Sequence, residues 1–289
     1  MAPRAINALS ANAQNRLYNL FINEQKRQKD LVNTITKIDV NHLGPSNACK
    51  ISANRHISTP AELSQHLSNY CMTQSVFALC DSSPISMNEV LRNDCDLEYV
   101  AFKGVNARLP ELANAIYWKS CAFLLGMVLQ KTMKSEVSLE LLGPVEQFTP
   151  KDGSFAYDFC FPDNSRWIPS CNELNILNSA AVNLILTELA IEPLDISVEM
   201  AKEWFANDKH KLKTIESEQR IRLYKCGDHV DIHQGVLINN TKHFGRFEVS
   251  QIYPNEHALR IHGVSLPRIF NVHHSTWSIL LRRASKKPP

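Results

Sequence analysis

Lys119 and Phe123 stand one helical turn apart in "NAIYWKSCAFLLGMVLQK", residues 114–131. Residues at i and i+4 share a helix face, so two histidines there would hold a metal or a water. An ammonium and a phenyl ring hold neither. The other candidates for such chemistry are eight cysteines, at 49, 71, 80, 95, 121, 160, 171 and 226, and a few histidine pairs. The cysteines form no CxxC pair and no regular interval, so reduced, mostly buried thiols are expected, not a zinc ribbon or a disulfide framework. His229 and His233 are four apart but read on a strand or loop, where they do not share a helical face. His273 and His274 are adjacent and their side chains diverge; a solvated or RNA-facing pair fits them better than ligation. No metal and no cofactor are expected.

The helix that carries Lys119 and Phe123 starts at Pro110 and runs to about Met133. Before it, residues 14–31 read as a surface helix with a basic last turn, "KRQK". "ITKIDV" and "ACKISA" flank the turn-rich "NHLGPSN" and suggest a hairpin. Thr59, Pro60 and Glu62 make a capping box with proline at the first helical position, so a helix starts there. "SVFALCD" and "LEYVAF" complete a small α+β sheet with one helix on one face. After the long helix, "EVSLELLG" and "GSFAYDFCF" read as paired strands. A helix follows with a Ser170 to Glu173 box, then another capped by Ser197. "RIRLYKC", "RFEVSQIY" and "ALRIHGVSLP" are strands, and "STWSILLRRASKKPP" is a final helix with a basic end.

With 289 residues, 44% of them hydrophobic, the chain can build two modest domains. Its longest uncharged apolar run, "CAFLLGMVL", is about half of what a bilayer span needs, so no membrane span is expected. Net charge is only +2, yet it is unevenly placed. Residues 1–29 total +4 and residues 257–289 total +6, which leaves −8 for the 227 between. Basic ends on an acidic middle are the footprint of a polyanion contact, because each phosphate neutralised releases counterions. The RNA-binding candidates are therefore Arg4, Arg16, Lys26, Arg27, Lys29, Arg282, Arg283, Lys286 and Lys287. "MAPRAINALSANAQNRLYNLF" has two arginines, no acid and an apolar face, which is similar to a mitochondrial targeting composition.

The order of these pieces resembles the N-terminal half of threonyl-tRNA synthetase across roughly residues 35–270. The phrases that carry it are "LLGPV" before "GSFAYDF", "DISVEMAKEWF" leading into "KLKTIE", and "LYKCGDHVDIHQGVLINNT" before "LRIHGVSLP". The resemblance implies an α+β fold: a basic helical arm over 1–33, a TGS-like β-grasp domain over 34–104, and an editing-like domain with a basic tail over 105–289. In the synthetases the second domain hydrolyses mischarged tRNA. Their first signature, two histidines four apart, falls here on Lys119 and Phe123. Their second, a cysteine and a histidine four apart, falls on His233 and Leu237. All four positions have changed identity, and phenylalanine and leucine have no lone pairs to orient a water or bind zinc. The four are expected to line one collapsed pocket, with Lys119 reaching outward.

The sequence ends at Pro289, where a synthetase would begin its aminoacylation core, so synthetase activity is not expected. The whole pattern, with "YWKSCAFLLGMVL" and the ending "GVSLPRIFNVHHSTWSILLRR", resembles a family of mitochondrial large ribosomal subunit proteins. What that implies is a structural, non-enzymatic component in the mitochondrial matrix, held by large-subunit rRNA and other mitochondrial ribosomal proteins, with no small-molecule substrate. Two other readings stay open: a free-standing tRNA-editing hydrolase, against which the four substituted positions count, and a TGS-type RNA-binding regulator, which would not cosediment with large subunits.

Overall fold

The described residues build three sheets, each packed on a buried apolar cluster. The computed structural model describes residues 3–285 apart from 104–108, 135–136, 146–152, 164 and 256–257, with side chains from residue 14 onward. In the first sheet, β1 (Lys37–Gly44) pairs antiparallel with β2 (Cys49–Asn54) and parallel with β5 (Cys95–Val100). β3 (Phe77–Cys80) joins β5 to the short β4 (Ser83–Ile85), giving the order β2-β1-β5-β3-β4. The burial of β1 alternates strictly, with Ile38, Val40 and His42 inward. Those residues meet Leu63 and Cys71 from two helices, α2 (Pro60–Leu67) and α3 (Asn69–Gln74), where the sequence suggests only one. Ser68 makes the break: its extended backbone ends α2, and its hydroxyl accepts from the amide of Cys71 to start α3.

α4 (Leu109–Thr132) carries Lys119 and Phe123. From Ser120 to Leu129 every residue is buried, so the helix has no polar stripe there and must be covered all round. It is long and apolar enough to cross a membrane, but 72% of that window is already covered by the protein. The cover comes from α5 (Cys171–Leu186) and from the sheet β11-β12-β7-β6, built of β6 (Glu140–Pro144), β7 (Phe155–Cys160), β11 (Phe244–Asn255) and β12 (Ala258–Pro267). Each large side chain fully buried this way stabilises the fold by about 1.5–3 kcal/mol. Val76, Phe77, Val100 and Phe102 of the first region join the same core. Asn88 also donates to the carbonyls of Ile191 and Asn239, at 2.9 and 3.0 Å.

The third sheet is β10-β9-β8, from β8 (Ile191–Ile196), β9 (Ile221–Cys226) and β10 (His229–Ile232), with α6 (Val198–Trp204) and α7 (Lys209–Glu216) beside it. The sequence reading misses β8, α7 and β10. "IEPLDI" hides a strand behind Pro193 and two acids, and α7 shows little beyond its Asp208 cap. α1 (Pro3–Asp30) is longer than the 14–31 expected and is no free arm. Its Phe21 is fully buried among Leu194, Ile196, Ile221 and Leu223. The last described element is α8 (His274–Ala284), capped by His273 through a 3.3 Å acceptance from the amide of Ser275.

Candidate functional site

α4 and the segment after β10 meet at Ser120. Its hydroxyl accepts from the amide of Ile238 at 3.0 Å and donates to the carbonyl of Ile116 at 2.8 Å. That tie lays residues 233–238 along the helix face that carries 119 and 123. Tyr224, from β9, stands between them. Its ring meets Phe123 edge-on at 6.3 Å and His233 edge-on at 6.1 Å. Its hydroxyl donates to the carbonyl of Gly235 at 2.8 Å and accepts from the amide of Leu237 at 3.3 Å. Phe123, His233 and Leu237 are all buried around this one ring. Lys119 is exposed; its ammonium lies 4.0 Å from where a Cβ would stand on Gly235, which turns the chain at φ +94°. Glycine takes that left-handed conformation without strain.

The electrostatics follow the packing. Burial, reinforced by the nearby Lys119 charge, pushes His233 down to about 4, so its imidazole is neutral at physiological pH. Its Nδ1 and the side-chain nitrogen of Gln234 are buried without hydrogen-bond partners. This neutral imidazole rests against the ring of Tyr224, with the Lys119 charge nearby.

The sequence reading missed the polar centre beside this pocket. Asp231 is 2% exposed and accepts from Tyr157 Oη at 2.6 Å, Lys211 Nζ at 2.5 Å and the amide of Ile232 at 2.8 Å. Burial works to raise its pKa, and the attraction of Lys211 with the hydrogen bonds from Lys211 and Tyr157 outweighs it, so the carboxyl sits below its usual range. His229 rests edge-on to Phe123 at 5.1 Å, bonds Gln130 through Nδ1, and is pushed down to about 4 by burial. With three donors on its carboxylate, Asp231 is committed to the fold. Its place two residues before His233 was visible in the sequence. Nothing in the spacing of 157, 211 and 231 shows that they meet.

The basic ends have different fates. Arg16, Lys26 and Lys29 are exposed on α1, while Arg27 is spent on Glu24 at 2.6 Å. α1 is fastened by Gln25 to Glu192 at 3.0 Å and by Gln28 to the carbonyl of Asp195 at 3.0 Å. Its basic last turn therefore opens onto a cleft of about 1020 Å³, whose walls include Arg27, Lys29, Arg55, Arg92 and Arg220. Asp195 holds Arg222, Arg220 and Arg92 at 2.7, 3.0 and 3.3 Å, and Arg222 also reaches Glu89 at 2.8 Å. Three guanidiniums thus face two carboxylates, and Arg92 and Arg220 remain about half exposed. At the other end Arg282 and Arg283 are exposed, with Arg283 packed against Gly153. The side chains of Arg4, Lys286 and Lys287 lie outside the described residues.

No family model matches the chain. It is 33% identical over 285 residues to the large ribosomal subunit protein mL39 of Drosophila melanogaster, covering 93% of this chain and 83% of that protein. This chain belongs to the mL39 family. The sequence is also 25% identical over 224 residues to threonine–tRNA ligase 2, cytoplasmic, of Bos taurus and 24% identical to that of Homo sapiens. Those matches cover 73% of this chain but only 28% and 25% of the ligases. This chain thus shares with the ligases a part that spans about a quarter of their length.

Proposed function

We propose that the chain is a structural component of the mitochondrial large ribosomal subunit, a synthetase-derived fold that has lost catalysis and is held by rRNA and neighbouring proteins. The observation that carries this reading is the identity to mL39 across nearly the whole chain. The filled pocket agrees with it, since Phe123 and Leu237 occupy with hydrocarbon the positions where a hydrolase needs lone pairs.

On this reading residues 34–104 are the TGS-like β-grasp unit and residues 105–289 the former editing unit, with the 1–33 helix and the tail as basic contacts. The exposed Arg16, Lys26 and Lys29, the half-exposed Arg92 and Arg220, and Arg282 supply charge for phosphate oxygens. The protein works in the mitochondrial matrix, where translation by that subunit takes place.

The test is a sucrose gradient of mitochondrial lysate, paired with a deacylation assay on the purified chain. Cosedimentation with large subunits and no hydrolysis of seryl-tRNA above background are expected. A chain that stays at the top of the gradient and deacylates seryl-tRNA, with the rate abolished by His233→Ala, would make it a hydrolase instead.

A further inference from the structure

Glu140, Cys160 and His210 bring a carboxylate oxygen, a thiol and an imidazole nitrogen within 4.8 Å of one another. Residues 140 and 160 are direct partners across β6 and β7, so their side chains leave the same sheet face together. Cys160 Sγ lies 3.5 Å from Glu140 Oε2. His210 comes over them from the first turn of α7. That turn is fixed by Asp208, which accepts from the amides of His210 and Lys211 at 3.1 and 3.0 Å.

We infer that Glu140, Cys160 and His210 form a binding site for one zinc-like divalent cation, with a water as fourth ligand. The donor set selects the ion: one sulfur, one nitrogen and one oxygen suit zinc, whereas magnesium and calcium take oxygen throughout. The spacing agrees. Zinc bonds of about 2.3 Å to sulfur and about 2.0 Å to oxygen, at a tetrahedral angle, place those two atoms about 3.5 Å apart. Glu140 and His210 are exposed, so torsional adjustment of their side chains can close the remaining distance.

Cys160 is a thiol before the ion arrives, since burial, then Glu140, pushes it up to about 11. Binding replaces its S–H bond with an S–metal bond and releases that proton to solvent, so affinity rises with pH. The bound ion would join the β6–β7 edge to α7, the helix from which Lys211 reaches Asp231. None of the four degenerate positions takes part, which is why a sequence reading centred on them expects no metal.

Cobalt titration of the full chain, reduced and metal-free, tests the site. A thiolate-to-cobalt charge-transfer band should saturate at one equivalent and be displaced by zinc. Cys160→Ser should abolish the band, and His210→Ala should weaken binding about tenfold or more, while His233→Ala leaves both unchanged. If Cys160→Ser does not fold, His210→Ala and Glu140→Gln, both at exposed positions, carry the test. Absence of the band in the unsubstituted chain, its survival in folded Cys160→Ser, or an affinity unmoved by both His210→Ala and Glu140→Gln overturns the site.

Discussion

Gly126 lies flat against the ring of Tyr157: a Cβ there would stand 2.8 Å from Cζ and 2.9 Å from Cε2. In an exposed helix, glycine to alanine gains about 0.5–1 kcal/mol. Here the ring cannot retreat, because Tyr157 is fully buried and its hydroxyl is bound to Asp231. Gly126→Ala should therefore destabilise the protein by about 1–3 kcal/mol, the usual cost of overpacking. Chemical denaturation measures it, and a stabilised variant would mean that the ring is free to move.

The acid limb of stability should begin with histidines. Burial pushes His229, His233 and His262 down to about 4 and His243 to about 3, all from an ordinary 6.5. The unfolded chain thus binds protons that the folded chain refuses. Their contribution is whole above pH 6.5 and is lost as pH falls toward 4, with each histidine adding a slope of about 1.4 kcal/mol per pH unit. Urea midpoints measured from pH 8 to 5 should fall below 6.5; a flat profile would contradict the neutral, buried histidines.

Charge-neutralising substitutions, not truncation, test the basic tail. Ala284 is buried, and its carbonyl accepts from Ser250 Oγ at 3.2 Å and Gln251 Nε2 at 3.4 Å, so deleting residues 282–289 would also damage the fold. Arg282→Gln with Lys286→Gln and Lys287→Gln should weaken rRNA binding and flatten its salt dependence by about 0.7–0.9 in log–log slope per lost phosphate contact. An unchanged slope would remove the tail from the interface.

Thr59 and Glu62 cap α2 reciprocally, through a 3.3 Å bond to the threonine hydroxyl and a 3.0 Å bond to the glutamate carboxylate. Thr59→Ala should cost about 1 kcal/mol. Thermal unfolding of the full chain reads this out, and Thr59→Ser should recover most of the loss. A neutral alanine variant would show that the helix start is held by packing alone.

Local chemistry decides what is legible in such a sequence. The starts of α2 and α5 follow from capping boxes at Thr59 and Ser170, because a cap is a contact between residues three apart. α4 follows from Pro110 and a long apolar stretch, and the pairing of β6 with β7 from alternation. The resemblance to threonyl-tRNA synthetase was likewise present in the order of short phrases. β8 escaped because Pro193 and two acids break its apolar pattern, yet its pairing with β9 puts Leu194 opposite Leu223 in a core closed by Phe21 of α1. Only folding brings Tyr157, Lys211 and Asp231 to one carboxylate, or Glu140, Cys160 and His210 to one corner. Their partners lie on different strands and helices, so the packing of whole elements sets those distances, and no spacing along the chain encodes them.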